Sequence, residues 1–108
     1  MMHTDWVPWK GTTPPKPKDR VYFMRRPDGC IKIGYTNHIV RRKRALEKQR
    51  GEELTLLGVL PGALRREQEI QYQFRFQQIE REWFLPTGEL KAFIAETATE
   101  LYVPLEDL

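Results

Sequence analysis

Apolar and polar positions along the chain sort into short runs of two kinds. Val21-Tyr22-Phe23-Met24 and the run from Cys30 to Tyr35 are rich in aromatic and β-branched residues and read as strands. Between them, Pro27-Asp28-Gly29 suits a three-residue hairpin loop. Pro27 and Asp28 make a type I turn and Gly29 takes the left-handed position. Loop length fixes register, so Arg26 faces Cys30, Met24 faces Lys32 and Tyr22 faces Gly34. Tyr22 and Lys32 then share a face as diagonal neighbours, whereas a two-residue loop would put them on opposite faces.

Helical spacing follows. A helix capped by Thr36 or Asn37 runs to about Arg50 and is ended by Gly51. Leu54 to Leu60 is a third strand, closed by Pro61-Gly62, and a second helix spans about Ala63 to Gln77. Glu82 to Leu85 is a short extended segment, and Pro86-Thr87-Gly88 introduces a last helix to about Leu101. The expectation is a small α/β (α+β) fold, a three-stranded, mainly antiparallel sheet flanked by helices. Residues 1–19 hold four prolines, a glycine and no periodic apolar pattern, and read as a tail ahead of a domain over 20–108 with a C-terminal helix. Trp6 and Trp9 within the tail can lie across the domain, stack on bases or anchor a partner.

Two charges stand on the wrong face. Ile39 and Leu46 mark the buried stripe of the first helix, and Arg42, three after one and four before the other, borders it. Ala63, Ile70 and Phe74 define the stripe of the second helix, and Glu67 lies within it. Burying a charge is costly unless something compensates. Arg42 and Glu67 are either a structural salt bridge or an anion and a cation held apart for phosphate chemistry.

Composition changes the picture only in part. With 108 residues the chain has room for one domain, and its apolar share of 40% is ordinary. No apolar run approaches the roughly 18 residues needed to cross a bilayer. The first residues lack the apolar stretch of a signal peptide. Cys30 is the single cysteine, so no internal disulfide forms, and neither His3 nor His38 has neighbours at metal-ligand spacing. A cytoplasmic setting without membrane attachment is expected. Net charge is +3, yet Arg41, Arg42, Lys43, Arg44, Lys48 and Arg50 crowd ten positions with one acid, Glu47. This is the footprint of phosphate binding, or a solvated helix face.

The order of these residues resembles the GIY-YIG endonuclease superfamily, in its phage-type and fungal meiotically up-regulated subgroup. Arg20-Val21-Tyr22 is similar to the Gly-Ile-Tyr motif, and Lys32-Ile33-Gly34 to Tyr-Ile-Gly. Gly34-Tyr35-Thr36 and Arg42 match the Gly-x-Thr segment and its arginine helix. Glu67, Ile70, Gln71 and Phe74 match the Glu-x-x-Leu-His-x-x-Phe pattern, and Glu82-Trp83-Phe84 the terminal Glu-Trp-Phe. Tyr22, Lys32 and Arg42 are ten apart in turn, and the likeness covers about residues 20–85. It departs at Arg20 for a glycine, Lys32 for a tyrosine, Gln71 for a histidine, and Leu46 where many members carry Tyr or His.

The resemblance implies a metal-dependent endonuclease that hydrolyses DNA phosphodiester bonds. Glu67 would hold one Mg²⁺ or Mn²⁺ ion, Tyr22 would be the general base with Lys32 stabilising its phenolate, and Arg42 would stabilise the phosphoryl oxygens. Arg41, Lys43, Arg44 and Lys48 would bind flanking phosphates. Gly34, Thr36, Trp83 and Phe84 would be structural, Gly34 because a side chain there would crowd Tyr22. The alternatives are a DNA-binding module with catalysis weakened or lost, motivated by Leu46 and Gln71, and a protein-interaction module, phage-encoded, that meets a partner or a second copy through the Trp6–Trp9 tail.

Overall fold

A computed structural model describes residues 14–108; Trp6 and Trp9 lie outside the described residues. The order of elements is β1 (Arg20–Arg25), β2 (Ile31–Thr36), α1 (Ile39–Arg50), β3 (Thr55–Pro61), α2 (Leu64–Gln73), β4 (Gln78–Glu80), β5 (Trp83–Phe84), α3 (Gly88–Thr97) and β6 (Glu100–Leu101). The β1–β2 hairpin has the expected loop. The Gly29 N–H donates to the Arg26 carbonyl at 2.8 Å, Arg26 N–H to Cys30 at 2.9 Å, and Gly29 takes φ 98°. Met24 accordingly pairs with Lys32 and Tyr22 with Gly34.

The three-stranded sheet expected from the sequence is wrong. The sheet has six strands in the order β4-β5-β2-β1-β3-β6, antiparallel at every pairing. The added strands are two or three residues long, too short to carry an alternation, and they form because longer strands offer free edges. β5 docks on β2, with Lys32 opposite Trp83. β6 docks on β3, where Thr99 and Tyr102 N–H groups donate to Val59 and Leu57. This last pairing ends the third helix at Thr97, short of Leu101. The second helix likewise stops at Gln73, and residues Arg75–Gln77 form a 3-10 turn leading into β4.

Each face of the sheet carries its own apolar cluster. Val21, Phe23, Ile31 and Ile33 pack with Ile70 and Phe74 of α2 and Leu90 and Ile94 of α3. The alternate residues Tyr22 and Met24 lie with Leu46 of α1, Val59 and Trp83. At about 25 cal/mol per Å² these burials supply the folding drive, and they also fix which β1 side chains meet α1. The Glu47 carboxylate locks the exit of α1 by accepting the Leu54 N–H and the Lys43 ammonium, both at 2.9 Å.

Candidate active site

The first turn of α1 is set by two consecutive side-chain caps. Thr36 Oγ1 accepts the His38 N–H at 3.1 Å, and His38 Nδ1 accepts the Arg41 N–H at 3.2 Å. His38, not Thr36 or Asn37, is therefore the N-cap, and Thr36 is the buried residue that orients it. Gly51, at φ 68°, ends the helix as expected. This entry angle carries Arg42 to the mouth of a polar cleft of about 320 Å³ over the sheet.

Tyr22, Lys32, Arg42 and Glu67 all line that cleft, with Leu46 and Glu82. Tyr22 comes from the centre of β1 and is buried. Its ring lies over Gly34, where a Cβ would come within 2.5 Å of the phenol oxygen, so the cross-strand glycine is the space the tyrosine occupies. Glu67 projects from α2 and is buried, as its place in the apolar stripe requires. The Gln71 side chain one turn later donates to the Ile33 carbonyl at 2.8 Å and ties α2 to β2. Gln71, at the position of the motif histidine, is thus a strut between helix and sheet.

Charges in the cleft are arranged in an uneven way. The Lys32 ammonium is ion-paired with Glu82, a residue of the β4–β5 connection. Sequence reasoning gave Glu82 no role at the site; its partner lies 50 positions away, and only the short β5 strand brings them together. Glu67 and Arg42, by contrast, form no ion pair with each other or with any other described residue. The structural salt bridge is therefore excluded, and the two opposite charges line the same cleft as Tyr22 without pairing.

The electrostatic consequences are direct. Burial pushes the Glu67 carboxyl up to about 7, Glu82 adds to the rise, and Lys32 with the Tyr35 N–H opposes it. Burial also raises the Tyr22 phenol well above its ordinary range, Arg42 opposes this, and Glu82 and Glu67 reinforce it. The cation that acts on Tyr22 is thus Arg42, and the ammonium expected to serve it, Lys32, is turned to Glu82.

Of the basic cluster on α1, Arg41, Arg44 and Lys48 are exposed, while Lys43 is neutralised by Glu47 at 2.9 Å. Trp83 and Phe84 are buried in the two apolar clusters. The Arg26 and Arg50 guanidinium groups lie 4.9 and 4.6 Å from the Trp83 ring centre, so this ring is already covered. No described helix is long and apolar enough to cross a membrane.

No curated protein and no solved structure matches the chain. Residues 18–98 match the T5orf172 domain, an interval that takes in every cleft residue named above. The chain belongs to the T5orf172 domain family, a domain of the nuclease-like fold context.

Proposed function

We propose that this protein is a metal-dependent DNA endonuclease of the GIY-YIG type. The observation that carries the reading is that Arg42 and Glu67, opposite charges that form no ion pair, share one polar cleft with a buried tyrosine. Membership of a family in the nuclease-like fold context supports it.

Glu67 fits a divalent cation: it is a buried carboxylate in a polar cleft, raised to about 7, with no ion-pair partner among the described residues. The described residues contain no group of three or more His, Cys, Asp or Glu that could cage a metal. A lone carboxylate suits magnesium or manganese, which would keep most of its waters there. Such an ion supplies positive charge that polarises the phosphodiester and stabilises the leaving oxygen.

The chain's own residues do the rest. Arg42 donates N–H groups to the phosphoryl oxygens and meets the charge that builds there in the transition state. Water attacks phosphorus, the bond to the leaving oxygen breaks, and Tyr22 takes the proton from the water. Burial does most to hold the Tyr22 phenol protonated; the Glu82 and Glu67 carboxylates add to the rise and Arg42 opposes it. Tyr22 and Glu67 are therefore coupled: loading the Glu67 site removes part of what raises Tyr22. Lys32 compensates Glu82, which limits the negative charge of the cleft.

The test is cleavage of supercoiled DNA by the purified protein with Mg²⁺ or Mn²⁺, lost in Glu67→Ala with the fold retained by circular dichroism. A second reading is favoured by Lys32, whose ammonium is committed to Glu82: a DNA-binding module on the same scaffold without hydrolysis. It predicts salt-sensitive DNA binding with no cutting by either metal.

A further inference from the structure

Beside the candidate site lies a second concavity of about 530 Å³, continuous with the first through Lys32, Arg42, Leu46 and Glu82. Its far wall includes Gln49, Arg50 and Arg81. Four cations border it, and a charge count separates them. Lys32 is matched by Glu82, and Arg50 by Glu52 at 2.5 Å. Glu80, the other acid of the groove, is matched by Arg26 at 2.6 Å. Arg42 and Arg81 are left, and neither guanidinium takes part in an ion pair or hydrogen bond among the described residues.

Arg81 is also the one described non-glycine residue with positive φ, at 33°. It occupies the connection between β4 and β5, a position that Asn, Asp or Gly fills more easily. Only its backbone serves the turn, through a carbonyl that accepts from the Gln78 side chain. A residue costly in the turn, whose charged head makes no ion pair or hydrogen bond within the fold, is explained by what the head meets outside it.

We propose that this groove is a second phosphodiester subsite. Arg81 receives the phosphate next to the one facing Tyr22 and Arg42 on the same DNA strand, with Gln49 and Arg50 on the wall. The inference rests on the hydrolytic reading for the identity of the strand, and extends it to how the strand leaves the cleft. Arginine suits the task because its planar fork takes a phosphate by two parallel hydrogen bonds.

The experiment measures binding of a short fluorescent DNA duplex to the full chain in chelator, across a salt series, for the wild type, Arg81→Asn and Arg81→Lys. Asparagine keeps the positive φ and removes the charge. Loss of one phosphate contact should weaken binding on the order of fivefold and lower the slope of log affinity against log salt by about 0.9. The thermal midpoint should stay the same or rise, and lysine should restore most of the slope. Unchanged affinity and slope in Arg81→Asn, a wild type that binds no DNA, or a lower midpoint with an unchanged slope would each overturn the subsite. Cleavage measured in parallel with Mn²⁺ separates the two readings. A protein that binds through Arg81 but never cuts overturns hydrolysis and keeps the subsite; one that cuts with Arg81-independent binding overturns the subsite alone.

Discussion

Replacing Glu67 by glutamine should make the metal-free protein more stable at alkaline pH. Glutamine has the same shape, can still accept the Tyr35 N–H, and carries no charge. In the folded wild type the carboxyl is raised from 4.5 to about 7, chiefly by burial. Each unit is worth about 1.4 kcal/mol, so the charged form costs the native state on the order of 3 kcal/mol. Glu67 is only 6% exposed, so solvent screening takes little from this figure. The folded value lies above the unfolded one, so the favourable contribution is complete below about pH 4.5. It is lost as pH rises through about 7. Wild type and Glu67→Gln should therefore be close in stability at pH 4.5, while at pH 8 the variant should lead by about 3 kcal/mol. In a domain of this size that is on the order of 10 °C in Tm. Urea unfolding at both pH values, in chelator, reads the difference. Addition of Mn²⁺ at pH 8 should then raise the wild type alone, by about 2.7 kcal/mol at a hundredfold excess over Kd. A gap between the proteins that is the same at pH 4.5 and pH 8 would refute the placement of an unpaired buried carboxylate at this position.

Two further outcomes follow from the same geometry. Gly34→Ala sets a methyl 2.5 Å from the Tyr22 hydroxyl, so the ring must move; we expect a loss of about 1–3 kcal/mol in urea unfolding, together with DNA cleavage falling at least in proportion to the displaced phenol. Glu82→Gln removes a carboxylate that raises Tyr22 and releases Lys32 from its pair; the Tyr22 ring resonances, followed by NMR against pH, should titrate at lower pH than in the wild type.

Much of the cleft was legible because its positions hang on local rules. Pro27-Asp28-Gly29 sets the hairpin parity that puts Tyr22 against Gly34, and this needs no knowledge of the rest of the chain. Glu67 was visible as a charge on an apolar stripe and is buried as that stripe demands, whereas Arg42, which borders its stripe in sequence, is exposed at the cleft. What could not be read depends on contacts between distant segments. Strands of two residues, such as Trp83–Phe84 and Glu100–Leu101, are created by the edge they join. The Lys32–Glu82 pair exists because one of those strands docks on β2, so Lys32 was assigned to Tyr22 in its absence. The end of the third helix was overrun for the same reason: hydrogen bonds from Thr99 and Tyr102 to β3 capture residues whose composition suits a helix.

Energetics explain why the unpaired charges matter more than the shape of the fold. Several cations near the cleft are paired with acids: Arg26 with Glu80, Lys43 with Glu47, Arg50 with Glu52, and Lys32 with Glu82 at the edge of the cleft itself. Arg42 and Glu67 face the same polar space yet do not close on each other, although a pair would relieve the cost of burying Glu67. The two helices are fixed by other contacts, Leu46 on α1 and Ile70, Phe74 and the Gln71–Ile33 bond on α2. A cleft kept in this condition is stabilised by a ligand that brings a negative group to Arg42 and a positive one to Glu67 at once. On the proposed reading, a phosphodiester with its divalent counter-ion would bring both, and relief of the cost of burying the Glu67 charge would favour its binding.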